Sequence, residues 1–311
     1  MGKIAQIPGF TSCPSCNSVL QIDGTAIAFF LKSPANAFPC SSCKVNLNLF
    51  DVISKEVEKN FFFTTAYHIA GATSSVFTVT MNRGKLLSID LKEYDVPATA
   101  TVLEINYTPN GLLFPLEVHG NSPTRHSIRH KFELYPVSFQ ENPIEQAPLN
   151  MMVTWINVGD DDVALNHLIR AFRYYSSSNF LDAPADSQLN LPFAYENTVI
   201  PANVAIEMSL VPVVRKALAR LGLASHADDK ITYSHYLNLL LPLCCGRASA
   251  PLLPDAVRTQ LNVLRKKRNE IGHSGKFDAA VSKNEMAKML TGSLFGFHYC
   301  KLVLPSFELF S

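Results

Sequence analysis

A short basic segment near the carboxyl end of the chain carries side-chain types that could cleave RNA. Arg268 and Asn269 are adjacent, and His273 follows five residues after Arg268. An arginine holds a phosphate through two parallel N–H donors, and a histidine exchanges protons near neutral pH. RNA supplies its own nucleophile, the 2′-hydroxyl, so the protein must only move protons and stabilise charge on the phosphate. These three residues are our catalytic candidates, in a reaction that would require no metal ion.

An amphipathic helix must position this group. Over residues 257–264 the apolar side chains recur at intervals of four and three positions, and the same period continues to Arg268. The sequence therefore predicts that Arg268 lies on the buried face, where an unpaired guanidinium is costly unless it meets a carboxylate or a polar cleft. Gly272 and Gly275 are expected to end the helix and to place His273 on a turn.

The residues around this group are strongly basic. Six lysines or arginines lie between Arg258 and Lys276, against one acidic residue, Glu270. Such a local field can hold a phosphate backbone, although a formal net charge of only +1 excludes a general polyanion binder. The RNA-binding candidates are Arg265, Lys266, Lys267 and Lys276. For Lys266 and Lys267 a solvated helix face is the competing interpretation.

The segment resembles the Arg-x4-6-His motif of HEPN domains, small helical bundles found in anticodon nucleases, toxin and antitoxin pairs and anti-phage proteins. Arg268 and His273 match the motif, and Asn269 matches the polar residue that often follows its arginine. The resemblance covers about residues 161–304, where predicted helices follow the family's order. These helices are 163–175, 204–221 with a kink or break near Leu210 caused by Pro212, 233–242, one beginning at Pro254 and Asp255, and 282–302 with a capping box.

The resemblance implies a fold, an activity and an assembly. The carboxyl-terminal domain would be an all-α HEPN bundle that cuts RNA, such as tRNA or a single-stranded loop, by attack of the 2′-hydroxyl. HEPN domains pair about a two-fold axis, so a homodimer would bring two copies of Arg268 and His273 to one cleft. The family's setting implies anti-phage defence, abortive infection or toxin action, with a phage-derived trigger or inhibitor. The alternative is a non-catalytic adaptor that binds RNA or protein.

The amino-terminal region contains a candidate metal site. Four of the seven cysteines form two Cys-x2-Cys knuckles, Cys13 with Cys16 and Cys40 with Cys43. Each knuckle offers two thiolates from one tight turn, and the pair completes a closed tetrahedral site typical of a zinc ribbon with structural Zn²⁺. Iron in a rubredoxin-like site is the main alternative. Short strands at residues 19–22 and 26–32 are expected to bring the knuckles together.

The middle of the chain has short β-rich runs separated by Gly, Pro and Asn. The predicted strands are 61–67, 75–81, 85–91, 99–107, 112–118, 130–135 and 151–157. Turns at 82–84 and 109–111 are expected to make hairpins. Strands at this spacing favour a small sandwich or barrel, in which no catalytic group is visible.

Three further groups carry weaker signals. The three aspartates at 160–162 resemble a metal-binding cluster. A helix start is the favoured interpretation, because carboxylates interact favourably with the positive, amino-terminal end of a helix. Arg125 and His130 have the motif spacing in a segment without helical period, so we treat them as a chance match. Glu207 could pair with Arg268 or occupy an ordinary surface position.

These signals predict a multidomain α+β protein. The predicted domains are a zinc ribbon at 1–55, a β-rich sandwich-like or barrel-like domain at 56–158 and a HEPN-like helical domain at 159–311. No apolar run approaches the roughly 20 residues of a membrane span, and we recognise no secretory signal. We therefore expect a cytoplasmic protein that makes no membrane contact.

Overall fold

The computed structural model describes residues 5–7, 10–33, 35–59, 64–109, 113–117, 130–139, 144–159, 162–179, 195–223 and 231–311. Its strands are β1 (Ala5–Ile7), β2 (Phe10–Ser12), β3 (Val19–Gln21), β4 (Phe38–Pro39), β5 (Asn46–Leu47), β6 (Thr73–Asn82), β7 (Leu87–Asp90), β8 (Thr101–Pro109), β9 (Phe114–Glu117), β10 (Lys131–Val137) and β11 (Gln146–Ile156). Its helices are α1 (Gly24–Lys32), α2 (Leu49–Lys59), α3 (Thr64–Ile69), α4 (Val163–Asn179), α5 (Glu196–Arg220), α6 (Tyr233–His235), α7 (Leu241–Ala248), α8 (Asp255–Ser274) and α9 (Lys283–His298). The expected mixed α+β class, with a helical carboxyl-terminal region, is confirmed.

The chain divides into two compact units. The first comprises the described residues of 1–9 and 71–159, and the second those of 10–70 and 160–311. The sequence predicts instead that the cysteine-rich residues form a domain of their own. In the structure Phe30 and Phe50 pack edge to face against Phe295 of α9, with ring centroids 5.7 and 5.6 Å apart. A module of this size buries too little surface by itself, and α9 completes its apolar core.

The first unit contains two antiparallel sheets, with strand orders β1-β6-β11-β8 and β7-β10-β9. Apolar side chains alternate with polar ones along the long strands, as a half-buried sheet requires. One apolar core takes Phe77 and Met151 from the larger sheet and Ile89 and Phe132 from the smaller one. The strands predicted for this region are therefore present, and the two sheets share a single core.

Three local predictions in the amino-terminal half are wrong. Residues 26–32 form α1 instead of a strand, because the Asp23 side chain accepts a hydrogen bond from the Ala26 N–H at 2.9 Å and caps a helix. The run 61–67 gives α3, whose backbone begins at Thr64, and residues 61–63 lie outside the described residues. The turn at 82–84 makes no hairpin, because β6 and β7 belong to different sheets. A short apolar run is compatible with the period of a strand and with that of a helix, and tertiary packing decides which of the two forms.

The second unit is built around α5, which packs on α4, α8 and α9. The sequence predicts a kink or a break near Pro212, and the structure excludes the break, because α5 is one helix of 25 residues with Pro201 and Pro212 inside it. Burial of side chains such as Ala205, Leu210 and Val214 offsets the hydrogen bonds that the prolines remove. The predicted start of α9 is confirmed, since Ser282 and Glu285 form a complete capping box.

Helix α8, which carries the catalytic candidates, is held close to α9 by a glycine. A Cβ atom added at Gly292 would lie 2.9 Å from the Cβ of Gln260, closer than real side chains approach. The absence of a side chain at Gly292 therefore lets the two helices meet at this point. The buried residues of α8 on this side are Val257, Leu261 and Leu264.

Within the part of the chain that the structure describes, α5 alone is long and apolar enough to cross a membrane. This criterion uses length and composition only, and 56% of the apolar window of α5 is buried inside the protein. A helix in the core of a protein can meet the same criterion, so α5 is only weak evidence for a membrane span.

Candidate functional site

The two cysteine knuckles have the same backbone geometry. In the first, the Cys13 N–H donates to the carbonyl of Ser18 and the Asn17 N–H donates to the carbonyl of Cys13, both at 2.8 Å. The second repeats this pattern with Cys40 in place of Cys13, with Val45 and Lys44 as the corresponding partners, at 2.9 and 3.0 Å. Asn17 and Lys44 both have left-handed φ angles, 57° and 61°. Each knuckle is thus a tight turn that presents its two sulfur atoms on one side.

The four sulfur atoms are spaced for a metal ion. All lie within 4.8 Å of one another, and the Sγ–Sγ distances from Cys13 to Cys43 and from Cys16 to Cys40 are both 3.8 Å. Zinc–sulfur bonds of about 2.3 Å in a tetrahedron separate the sulfurs by about 3.8 Å. A disulfide would require about 2.05 Å, and all four cysteines are free. The predicted four-cysteine site is therefore formed, and its ligands suit Zn²⁺ or another thiolate-binding metal.

The Ser18 hydroxyl prepares two of these thiols for metal binding. It lies 3.0 Å from the Cys16 sulfur and 3.5 Å from the Cys40 sulfur. Its hydrogen bond lowers the pKa of Cys40 to about 6 and also lowers the pKa of Cys16. Because the thiolate is the form that binds metal, this favours coordination by Cys16 and Cys40. At Cys43 the hydrogen bond with the Val45 backbone lowers the pKa, but burial and the neighbouring thiols outweigh it and raise this pKa to about 11.

The predicted catalytic residues lie on the last turns of α8, but not as the sequence predicts. Arg268 is exposed, and the helix runs through Gly272 to Ser274, so His273 lies in its last turn instead of on a loop. Gly275 ends the helix in a left-handed conformation, φ 72°, and its N–H donates to the carbonyl of Ile271 at 2.8 Å. A glycine inside a helix costs only about 1 kcal/mol, so Gly272 does not stop it.

A polar pocket explains the exposure of Arg268. The apolar stripe of α8 ends at Leu264, and beyond it the same side of the helix borders a cavity of about 310 Å³. The cavity is lined by Asn203, Glu207, Ile231, Thr232, Tyr233, Ser234, Arg265, Arg268 and Asn269. The helical period thus predicts the correct side of α8 for Arg268. On that side, however, Arg268 borders the polar cavity and not the apolar core.

The structure brings some catalytic candidates together and separates another. Arg268 and Asn269 both line the pocket, and an N–H of Arg268 donates to the side-chain oxygen of Asn269 at 3.3 Å. His273 is exposed and does not line the cavity. A single chain therefore presents an arginine and an asparagine at the pocket and a histidine beyond it.

The basic candidates also differ in their surroundings. Arg265 lines the pocket and is half-buried, whereas Lys266 and Lys276 are exposed. Lys267 forms an ion pair with Glu270 at 2.8 Å, and both side chains are only 19% exposed. The Glu270 carboxylate, whose pKa this lysine lowers, also accepts the Asp278 N–H. Lys267 thus helps to fix the loop after α8.

The pocket contains residues that sequence reasoning did not select. Asn203 is a turn away from Glu207 on α5, and its amide donates to the Glu207 carboxylate at 3.4 Å. Tyr233 begins α6. Only Glu207 gave a signal in the sequence, as an acidic residue between apolar neighbours. Asn203 and Tyr233 gave none, because the approach of α6 to α5 and α8 is a property of the fold.

The weaker candidate groups have different outcomes. Asp162 accepts the Leu165 N–H at 3.2 Å just before α4, which confirms the predicted helix start, and Asp160 and Asp161 lie outside the described residues. Arg125 is also outside them, whereas a ring nitrogen of His130 is 3.1 Å from the carbonyl oxygen of Pro97.

Comparison of the chain with protein-family models, with curated proteins and with solved structures gives no significant match. What this protein does must therefore be inferred from its own residues and their arrangement.

Proposed function

We propose that this protein is a HEPN-type endoribonuclease that cuts RNA through the 2′-hydroxyl of its substrate. The observation that carries the proposal is the pocket beside α8, which Arg265, Arg268 and Asn269 line together with Glu207. A cleft that combines two guanidinium groups with an amide can hold a phosphodiester and orient it. The exposed His273 on the same helix supplies a group that can transfer protons.

In this mechanism Arg268 binds the scissile phosphate and stabilises the charge that develops on it. A histidine takes the proton of the 2′-hydroxyl, and the 2′-oxygen attacks phosphorus. The bond to the 5′-oxygen breaks as a protonated histidine donates a proton to that leaving group. The products are a 2′,3′-cyclic phosphate and a free 5′-hydroxyl, and Asn269 positions the backbone or the imidazole.

The mechanism needs two proton-transfer groups, and each chain offers one His273. We therefore propose that two copies of the chain form a homodimer in which both motifs face one cleft. Exposed apolar side chains on α5, the helix that supplies Asn203 and Glu207 to the pocket, support this assembly. Ile200 and Met208 on α5 are each 45% exposed, and they flank the positions of Asn203 and Glu207.

The biological setting is proposed by analogy with the HEPN family. Uncontrolled RNA cleavage would kill the cell, so a cytoplasmic role in anti-phage defence, abortive infection or toxin action fits such an enzyme. A phage-derived trigger or inhibitor would then control it, and tRNA or a single-stranded loop would be the substrate. The four-cysteine cluster would hold a structural Zn²⁺ that stabilises the amino-terminal module on α9.

The test is cleavage of labelled tRNA and unstructured RNA by the purified full chain, with and without EDTA. Zinc content is measured before and after, so that metal loss from the cysteine cluster is detected. We expect products with cyclic phosphate ends from wild type and none from the Arg268→Ala, His273→Ala double variant. Arg258→Ala is the matched control, because Arg258 is on α8 but pairs with Asp255 at 2.6 Å outside the pocket.

A second function is favoured by the position of His273 outside the pocket. Because no histidine among the described residues lines the cavity, the pocket could bind RNA without cutting it, and the protein would act as an RNA-binding or protein-binding adaptor. This alternative would be supported if the wild type and the Arg268→Ala, His273→Ala double variant bind RNA equally well and neither cleaves it, as monomer or as dimer. An active monomeric variant would instead contradict the two-copy mechanism.

A further inference from the structure

The pocket beside α8 contains polar groups that nothing in the described part of the protein satisfies. The side-chain oxygen of Asn203, the hydroxyl of Tyr233 and the Nε of Arg265 are each buried without a hydrogen-bond partner. All three residues line the same cavity. Asn203 is 2% exposed and Tyr233 is 8% exposed. A buried polar group without a partner destabilises the folded protein, so three at one cavity indicate a polar ligand.

These groups have mixed hydrogen-bonding character. Arg265 can only donate, whereas the hydroxyl of Tyr233, which is protonated at neutral pH and whose pKa burial raises further, can donate or accept. The side-chain oxygen of Asn203 can only accept, and the adjacent Glu207 carboxylate also accepts. A phosphate alone would be repelled by Glu207 and would leave Asn203 unsatisfied. The ligand must therefore present both N–H donors and acceptor atoms.

We propose that the pocket receives a guanine base of the RNA, an inference that rests on the proposed function and gives it a base preference. Guanine presents two adjacent donors, N1–H and the N2 amino group, which suit the two oxygens of the Glu207 carboxylate. The second N2 hydrogen suits the side-chain oxygen of Asn203 next to Glu207, and the N3 acceptor suits the hydroxyl of Tyr233. Its O6 and N7 acceptors suit an arginine, here Arg265. The exposed Arg268 at the same cavity then meets the phosphate of that nucleotide.

The other bases match this set of groups less well. Adenine offers an acceptor at N1 where guanine offers a donor, so the carboxylate would lose one hydrogen bond and face a lone pair. Uracil and cytosine are smaller and do not present two adjacent N–H donors together with an N7 acceptor. The volume, about 310 Å³, lies at the lower end of small-molecule sites and suits one base turned out of a single strand.

The test measures binding of the 3′-monophosphates of guanosine, adenosine, cytidine and uridine, and of inorganic phosphate, to the full chain carrying His273→Ala. We expect guanosine monophosphate to bind at least about tenfold more tightly than the others. Glu207→Gln should remove this preference and, because it removes a charge that repels phosphate, should not weaken phosphate binding. Glu196→Gln, on the same helix but outside the pocket, is the matched control. If Glu207→Gln fails to fold, Arg265→Lys tests the opposite edge of the base.

The outcomes separate the base pocket from the nuclease. Three results would overturn the guanine pocket even if RNA is cleaved. These are equal affinity for all four nucleotides, an affinity for inorganic phosphate as high as that for guanosine monophosphate, and no nucleotide binding at millimolar concentration. A guanine preference that Glu207→Gln abolishes would support it even if no RNA is cleaved, and then only the catalytic proposal fails. If both hold, mapped cleavage sites should lie next to guanosine.

Discussion

The cysteine cluster and the α8 pocket differ in how far apart in the sequence their residues lie, and the sequence predicts the two sites unequally well. In the cluster each ligand pair comes from one turn, and the hydrogen bonds within Cys13–Ser18 and Cys40–Val45 set the position of the sulfurs. In the pocket only Arg265, Arg268 and Asn269 come from one helix, and the other walls come from α5 and from the segment that leads into α6. Local spacing is therefore sufficient for the first site, whereas the second depends on how helices pack.

The largest effect is expected from breaking the cysteine cluster. Cys40→Ser removes one of the four ligands, so we expect loss of the bound metal and a fall in the free energy of unfolding of more than about 4 kcal/mol. Metal content and thermal unfolding of the purified chain measure this. Cys244→Ala is the control, since Cys244 is buried in α7 away from the cluster and should keep full metal content. Equal metal content in both variants would contradict a four-cysteine site.

The contact of the cysteine-rich module with α9 should be sensitive to acid. His298 is buried close to Gly24 of α1, and burial lowers its pKa from 6.5 to about 4. The folded state therefore binds this proton less readily than the unfolded state. Its contribution to stability is complete above about pH 6.5 and is lost as pH falls toward 4, by about 3 kcal/mol.

His298→Leu should flatten the pH dependence of the free energy of unfolding over this window. Phe297→Leu, which alters a neighbouring non-titrating side chain, should lower stability about equally at each pH and keep the slope. Denaturant unfolding between pH 4 and 7 gives the free energy of unfolding of both variants as a function of pH. If His298→Leu keeps the pH dependence of the wild type, protonation of His298 is not its cause.

The position of α8, on which the pocket depends, should be sensitive to the size of residue 292. Gly292→Ala places a Cβ against Gln260, and we expect a loss of about 1 to 3 kcal/mol from overpacking. Gly246→Ala in α7 is the matched control, because its Cβ would meet no atom within 4 Å. That variant should gain up to about 1 kcal/mol from helix propensity. The difference between the two in thermal unfolding isolates the α8–α9 contact.

The smallest effects should separate two adjacent lysines. Lys266 is exposed, so Lys266→Ala should weaken RNA binding about 2- to 5-fold with little change in stability. Lys267 is paired with Glu270, so Lys267→Ala should lower stability by up to about 1 kcal/mol and affect RNA binding less. Binding at two salt concentrations together with thermal unfolding checks both. If Lys267→Ala instead weakens RNA binding more than Lys266→Ala and leaves stability unchanged, the ion pair with Glu270 does not determine the role of Lys267.

Prediction from sequence succeeded where the signal is local. The Cys-x2-Cys spacing gave the cluster, alternating polarity gave the long strands β6, β10 and β11, and Ser282 with Glu285 gave the start of α9. It failed at residues 26–32, where an apolar run fits a strand or a helix equally well and the Asp23 cap and the contact of Phe30 with Phe295 select the helix. The predicted alternative of a break near Pro212 was also wrong, because packing on both sides keeps α5 continuous there.

The sequence alone determined the chemical types available, namely four thiols at metal-binding spacing and an arginine, an asparagine and a histidine within six residues. The tertiary structure decided what surrounds them. It ended the apolar core at Leu264, opened a polar cavity at Arg268, and placed Glu207, Asn203 and Tyr233 against that cavity. The reason is physical: the helical period fixes which side of α8 a residue occupies, whereas only the packing of other helices decides whether that side meets apolar atoms or a cleft.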